Sequence, residues 1–287
     1  MTGVSGFLGA SIAQRISSHR KDILGVSRSQ VTTQSFASAT LDLSNYSDVD
    51  QLIDWYRPTH LVHTAWYTEH GEFWDSDKNY HWVLITGHLI ERFLKAGGQH
   101  ITIAGTCAEY ELPGELSLLD EDAYTLPSTR YGSCKHLAHL LARDAVNSFG
   151  ATLSWLRIFL PFAEHDQSRR LIPSIARQLS QGQPLFPVDR RSVRDFVHVS
   201  DIAEAFRLVT DISYDGTLNV CNSNPISIGE LVDSMAVAYG RTDRAPQSSQ
   251  STPSYLVGSN QRLLRLGWKP TKKLSDFISS ASEGSWW

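Results

Sequence analysis

The sequence predicts an α/β protein with a doubly wound parallel sheet, for three reasons. Short apolar runs alternate with helix-length segments along much of the 287-residue chain. The runs are continuously apolar, as strands buried on both faces of a parallel sheet are. The chain also opens on a glycine-rich turn that leads into a helical pattern. Strand and helix in alternation place helices on both faces of one sheet.

The elements follow in order along the chain. Strands are predicted at 22–28, 60–66, 100–106, 152–159 and 217–221. Helices are predicted at 8–18, 47–56, 79–96, 131–148 and about 200–210. In the third helix, apolar side chains recur at helical spacing, and Gly97-Gly98 supply its end.

The pattern loosens after residue 160, where prolines interrupt the chain and arginines accumulate. The polar stretch 241–254 contains two prolines and is predicted as a surface loop. We therefore expect two domains. A nucleotide-binding domain covers 1–158 plus about 196–222, and a smaller C-terminal substrate-binding lobe covers about 159–195 and 223–287.

Composition excludes several classes of function. With 41% hydrophobic residues, 20% charged residues and a net charge of −4, the chain lacks the basic field of a nucleic-acid-binding protein. No apolar run approaches the ~20 residues that span a bilayer, and no signal peptide is visible, so no membrane partner is expected. The three cysteines lack CxxC pairing, which favours a reduced cytoplasmic protein without a structural zinc site. No metal site is predicted.

The opening stretch is predicted to bind a dinucleotide. Gly3, Gly6 and Gly9, with Phe7 and Leu8 between the last two, form a G-x-x-G-x-x-G turn before a helix. Glycines let the backbone approach a pyrophosphate, and the helix N-terminus offers free N–H groups. An ordinary turn is the alternative, but the following helix and second strand favour the dinucleotide.

Two side chains bear on the choice of cofactor. The strand at 22–28 ends in Arg28, and an arginine there suits a 2′-phosphate, so NADP(H) is favoured and NAD(H) stays possible. A solvated surface arginine is the alternative. Asp42, followed by Leu43, lies where a third strand would end and could reach the adenine amino group. A helix N-cap role for Asp42 or Ser44 is equally open.

Tyr131 and Lys135 lie four residues apart, and therefore on one face of a predicted helix. A lysine beside a phenol favours the phenolate and so lowers the pKa of the tyrosine, and it can also hold a ribose hydroxyl. The alternative is a snorkelling lysine beside a packed tyrosine.

Six motifs in order resemble one known family. They are TGVSGFLG at 2–9, HLVHTAW at 60–66, GTCAEY at 105–110, YGSCK at 131–135, RDFVHVSDIAEAF at 194–206 and LGWKP at 266–270. Together they look like the extended short-chain dehydrogenase/reductase family, the NAD(P)-dependent epimerases, dehydratases and reductases of nucleotide sugars. The resemblance implies a Rossmann-like sheet.

The resemblance also implies roles for individual residues. Tyr131 would be the general acid/base, Lys135 would tune it and bind the nicotinamide ribose, and Thr106 would hydrogen-bond the reacting oxygen. Ala65 and Trp66 would lie over the dinucleotide, where Trp66 departs from the family's usual small residue.

For the substrate, Arg194 resembles the arginine that clamps the diphosphate of a sugar nucleotide, while His165 and Arg170 lie in the segment that covers it. The family also implies a homodimer, formed through the helices at 79–96 and 131–148.

Four reactions compete within the family. Dehydratases carry an Asp-Glu pair where this chain has Cys107-Ala108, and the cysteine of the GDP-fucose epimerase-reductases is replaced by Ala108. A reductase of 4-keto-6-deoxy sugar nucleotides that uses NADPH remains, and Arg28 favours it over an NAD-dependent 4-epimerase. An inactive binding protein is a third alternative, against which the complete catalytic set argues.

The loop lacks the strand that should precede it, because only Met1 and Thr2 come first. A missing central strand would leave backbone groups unpaired. The sequence therefore suggests a truncated chain whose natural start lies some seven to ten residues upstream. If Met1 is the start, rearrangement or another segment must fill the gap.

Overall fold

The structure is a computed structural model that describes residues 1–31, 35–164, 166, 169–242, 244–248 and 253–280. Two compact units are present. The first comprises Met1–Glu111, Tyr124–Ile158 and Ile202–Leu218, and the second comprises Leu112–Ala123, Phe159–Asp201 and the described residues from Asn219 onward. Within the described ranges, we find no helix with the length and apolar character that crossing a membrane requires.

The strands and helices alternate as the sequence predicts. The strands are β1 Leu24–Ser27, β2 Ala37–Thr40, β3 His60–His63, β4 His100–Thr106, β5 Thr152–Ile158, β6 Leu160–Phe162, β7 Val193–Arg194, β8 Phe196–His198, β9 Gly216–Val220, β10 Ile226–Ser227 and β11 Tyr255–Leu256. The helices are α1 Phe7–Ser17, α2 Tyr46–Tyr56, α3 Lys78–Lys95, α4 Arg130–Phe149, α5 Leu171–Ser180, α6 Val199–Asp211, α7 Ile228–Ala238, α8 Gln261–Arg265 and α9 Leu274–Ser280, and a 3₁₀ turn spans Cys107–Glu109.

The sheet of the first unit confirms the predicted fold class. Its strands run in the order β3-β4-β5-β9, and β1 pairs with β2 in a separate parallel ladder. The β3–β4 and β4–β5 ladders are parallel, and all seven residues of β4 are buried. A strand buried on both faces explains why the sequence at 100–106 is continuously apolar rather than alternating.

Met1–Gly3 link the two ladders of the first unit. Thr2 N donates to Val62 O at 2.9 Å, while Gly3 N donates to Val26 O at 2.9 Å and Val26 N donates to Met1 O at 2.8 Å. Thr2 thereby forms parallel bridges to both Val26 and His63. Residues 1–3 thus occupy part of the position of a central strand, and a cavity of about 280 Å³ opens beside them between β1 and β3.

Each unit contains a cluster of buried apolar side chains. In the first, Phe93 of α3, Ile101 of β4 and Trp155 of β5 are at most 1% exposed. Burying each such side chain contributes about 1.5–3 kcal/mol. In the second unit, α7 packs with α5 and α9 over the short β6–β8 and β10-β7-β11 sheets.

Candidate active site

The glycine loop forms a tight turn that connects the first residues of the chain to α1. Gly3 has φ of +78°, and a Cβ on it would lie 2.7 Å from the Ala65 backbone nitrogen. A Cβ on Gly9 would lie 1.9 Å from the Gly3 carbonyl oxygen. Gly6 is the N-cap of α1 and makes no side-chain capping bond. At its glycines the loop has only backbone atoms, which fits close approach by the pyrophosphate of a dinucleotide.

Arg28 and Asp42 follow the ends of β1 and β2, and both are exposed. Asp42 Oδ1 accepts hydrogen bonds from the Ser44 backbone nitrogen at 2.9 Å and from its hydroxyl at 2.8 Å. These bonds, with a smaller contribution from Arg28, lower the pKa of Asp42. The N-cap of α2 is Asn45, so the N-cap alternative for Asp42 or Ser44 is wrong. Leu43 is buried.

Lys135 lies deep in the first unit, with 3% of its surface exposed. Its Nζ donates to Ala104 O at 2.7 Å and lies 4.0 Å from the centroid of the Trp66 indole. Trp66 is in turn anchored by its Nε1, which donates to Asn79 Oδ1 at 2.9 Å. Burial lowers the pKa of Lys135 to about 7, so this lysine titrates near neutrality.

Tyr131 stands in the first turn of α4, packed edge-on against two aromatic rings. The centroid of Phe73 lies 4.9 Å from that of Tyr131, and the centroid of Trp74 lies at 5.6 Å. Burial raises the pKa of Tyr131, although the Thr106 hydroxyl acts in the opposite direction. The expected lowering of this pKa by Lys135 is therefore wrong, because desolvation dominates and the lysine Nζ bonds to a backbone carbonyl instead.

Thr106 ends β4 and caps the 3₁₀ turn that follows. Its Oγ1 accepts from Ala108 N at 3.2 Å, and its backbone nitrogen donates to Glu109 Oε1 at 3.0 Å. The start of α4 approaches this turn closely, because a Cβ on Gly132 would lie 2.3 Å from Ala108 O. Glycine at 132 thus lets the helix bring Tyr131 beside Thr106.

A buried polar cluster beneath these residues was not predicted. Glu109 is fully buried, and its carboxylate accepts from Trp155 Nε1 at 2.9 Å and from Arg157 Nε at 3.1 Å. His136 Nδ1 and His139 Nδ1 lie 3.9 Å and 3.7 Å from Glu109 Oε2. Burial opposes the charge of Glu109, but the two histidines and Arg157 together hold its pKa below the usual range. The only sign of this cluster in the sequence is the i, i+3 spacing of the two histidines. No sequence pattern connects these histidines to the residues of β5.

The predicted substrate residues that the structure describes lie in the second unit. Arg194 donates to the Ser254 carbonyl oxygen at 2.7 Å and to its hydroxyl at 2.8 Å. Arg170 pairs with Asp166 at 2.8 Å. His165 lies outside the described residues. The residues predicted to be catalytic, Thr106, Tyr131 and Lys135, belong to the first unit.

Comparison with known proteins gives consistent matches. The sequence profile of the NAD dependent epimerase/dehydratase family matches residues 1–221. The chain is 24% identical to a UDP-glucose 4-epimerase of Halalkalibacterium halodurans, over 94% of this chain and 90% of that protein. It is also 24% identical to a dTDP-4-dehydro-6-deoxy-D-allose reductase of Streptomyces bikiniensis, over 93% and 87%. A solved UDP-glucose 4-epimerase of Thermotoga maritima superposes with a TM-score of 0.83 at 15% identity, covering 98% of this chain and 96% of that one, which shows a shared fold.

Proposed function

Because the chain belongs to the NAD dependent epimerase/dehydratase family, we propose that it reduces the 4-keto group of a 4-keto-6-deoxy sugar nucleotide, with NADPH as the hydride donor. The arrangement of Thr106, Tyr131 and Lys135 carries the proposal. The close approach of Gly132 to Ala108 brings the end of β4 to the first turn of α4. A hydroxyl, a phenol and a lysine on these two elements are the groups that carbonyl reduction needs.

The first unit supplies a place for the cofactor. The tight loop of Gly3, Gly6 and Gly9 offers backbone N–H groups to a pyrophosphate. The exposed guanidinium of Arg28, at the end of β1, suits the 2′-phosphate that distinguishes NADP from NAD. Lys135 would hold the nicotinamide ribose. When bound, the nicotinamide supplies the hydride, and the protein supplies orientation and electrostatics.

We assign to Tyr131 the proton that reduction consumes. Its phenol is protonated at neutral pH even at its ordinary pKa, and burial raises that pKa further. Reduction of a ketone requires a proton donor at the oxygen that becomes a hydroxyl, and Tyr131 would fill that role. Thr106 would donate a second hydrogen bond to the same oxygen and stabilise its developing charge.

A 4-epimerase that retains NAD is the second candidate. Matched proteins such as that of Halalkalibacterium halodurans carry the name UDP-glucose 4-epimerase. An epimerase uses the same three side chains, but its tyrosine must accept a proton first and return it later. The position of Arg28 favours the reductase.

For the substrate, we assign the nucleotide diphosphate to the second unit. Arg170 and Arg194 provide guanidinium groups there, and such groups bind diphosphates with two parallel hydrogen bonds. Arg170 would exchange its ion pair with Asp166 for the substrate. His165 remains part of this prediction from the sequence alone.

The decisive experiment follows NADPH absorbance with tag-free protein. The substrates are 4-keto-6-deoxy sugars carried on dTDP, CDP, GDP and UDP, each tested with NADPH and NADH. We expect NADPH oxidation with one of them, and its loss in Tyr131→Phe, which removes only the phenolic hydroxyl. Arg28→Ala should reduce the preference for NADPH over NADH, while Lys21→Ala, which changes an exposed lysine before β1, should not. Interconversion of UDP-glucose and UDP-galactose without added cofactor would instead establish the epimerase.

We also propose a homodimer formed through α3 and α4. Apolar side chains on these helices are exposed, among them Leu84 at 64% and Leu140 at 54%. Light scattering should give twice the mass of the chain, and the double variant Leu84→Glu/Leu140→Glu should be monomeric. Leu118→Glu is the control, since Leu118 is 63% exposed outside these helices. A monomeric wild-type protein would refute the proposal.

A further inference from the structure

We propose that Glu109, His136 and His139 form a binding site for a divalent transition metal of the zinc type. His136 Nδ1 lies 3.9 Å from Glu109 Oε2, and His139 Nδ1 lies 3.7 Å from it. One ligand atom from each residue falls within 4.8 Å of the other two. Ligand atoms around tetrahedral zinc are about 3.4 Å apart, so the carboxylate and imidazoles need only small movements to close on an ion.

The backbone holds these three ligands on neighbouring elements. Glu109 is the last residue of the 3₁₀ turn after β4, and the two histidines lie one turn apart on α4. Residues at i and i+3 share a helix face, so both imidazoles are directed to the same carboxylate. The site therefore needs no loop to move into place.

Each of the two imidazoles has a ring nitrogen that can still accept a ligand. Among the described residues, His136 Nδ1 and His139 Nδ1 are buried atoms with no hydrogen-bond partner. His139 Nε2 lies 3.3 Å from Thr217 Oγ1, to which it can donate. That tautomer leaves the lone pair on Nδ1 available to a metal ion. A cation bound between the imidazoles and the carboxylate would take the place that an Nδ1 proton otherwise occupies, and imidazole is a preferred ligand of zinc.

Contacts behind the ligands fix their orientation. Glu109 Oε1 accepts from Trp155 Nε1 at 2.9 Å and from Thr106 N at 3.0 Å, which leaves Oε2 turned to the histidines. The His139 ring stacks on Trp155, with centroids 4.5 Å apart and planes 8° apart. Such outer contacts are what orient carboxylate and imidazole ligands in metal sites.

Arg157 sets the choice of ion and limits its affinity. Its Nε donates to Glu109 Oε2 at 3.1 Å, so the charge of the carboxylate is already balanced. The imidazoles must then supply most of the binding. Zinc, nickel and copper bind imidazole, whereas magnesium and calcium require several oxygen ligands, so the site selects the former group. A bound ion would join the 3₁₀ turn beside Thr106 to the helix that carries Tyr131.

The test uses cobalt and zinc with tag-free protein dialysed against EDTA. Cobalt should bind at one equivalent per chain with the visible absorption of a tetrahedral site, and zinc should displace it. His136→Ala and His139→Ala should each weaken binding by at least about tenfold. His81→Ala, an exposed histidine on α3, should leave it unchanged.

His136→Ala is the primary variant, because the side chain of His136 is 25% exposed and His139 packs on Trp155. Its circular dichroism and melting temperature in EDTA should match the wild type. Zinc should raise the melting temperature of the wild type and not that of the variant. Failure to reach saturation at one equivalent, or wild-type affinity in a folded His136→Ala, would overturn the proposal. Neither outcome depends on the NADPH assay.

Discussion

Replacing Trp66 with leucine tests how the first unit keeps Lys135 charged. The ammonium lies 4.0 Å from the indole centroid and is 3% exposed, and burial already lowers its pKa to about 7. A desolvated cation–π contact is worth about 2 kcal/mol. Since one pKa unit corresponds to about 1.4 kcal/mol, Trp66→Leu should lower the pKa of Lys135 by roughly a further 1.5 units.

The measurement is a pH titration of ¹³C-labelled lysine side chains by NMR, with Lys135→Met to identify the resonance. Trp66→Phe is the matched control, because both variants lose the bond from Nε1 to Asn79 while only phenylalanine keeps an aromatic face. We expect the phenylalanine variant to stay close to the wild type. A pKa in Trp66→Leu that stays or rises, or an equal shift in both variants, would refute the cation–π argument.

Three further predictions follow from buried groups of the first unit. Gly9→Ala places a Cβ 1.9 Å from Gly3 O, so it should weaken NADPH binding by more than about tenfold in calorimetry. Gly87→Ala is the contrasting variant, because a Cβ there has no atom within 4 Å. It should stabilise α3 by about 0.5–1 kcal/mol. Lys135 has a folded pKa of about 7, below its unfolded value of about 10.4, so the folded state loses its proton first and stability rises with pH across that window. The free energy of unfolding of Lys135→Met, measured in urea, should not rise with pH across this window. At pH 7 it should be higher than that of the wild type. Glu109→Gln removes the charge that balances the buried Arg157 guanidinium of β5 and should cost about 3–5 kcal/mol in urea unfolding; a loss under about 1 kcal/mol would contradict a buried ion pair.

Much of the fold could be predicted because burial on both faces leaves a local signature. The strand at 100–106 was predicted with the bounds that β4 has. The helix predicted at 131–148 is α4, Arg130–Phe149, and Gly150 caps its end with φ of +68°. The strand at 60–66 was predicted too long. It ends at His63, and the next residue, Thr64, donates from its backbone nitrogen and its hydroxyl to Thr2 O.

The candidate site was predictable only where spacing within the chain determines it. The four-residue spacing of Tyr131 and Lys135 places both on one face of α4 in any context. Their proximity to Thr106 was inferred from the resemblance to the dehydrogenase/reductase family. In the structure, the close contact between Gly132 and Ala108 brings the two elements together. Nothing in the sequence joined Glu109 to its partners on α4 and β5, because those contacts span 27 residues or more along the chain.

The sequence by itself therefore determined the alternation of strands and helices, the glycine loop and the pairing of Tyr131 with Lys135, since each depends on periodicity or on the steric freedom of glycine. The pKa values of Tyr131 and Lys135 depend on tertiary structure alone. Burial raises the pKa of Tyr131 and lowers that of Lys135, because removing water penalises whichever form is charged, and burial depends on residues distant in sequence. Tertiary structure also placed Met1–Gly3 between β1 and β3, since only the folded sheet offers the backbone partners that those residues bind.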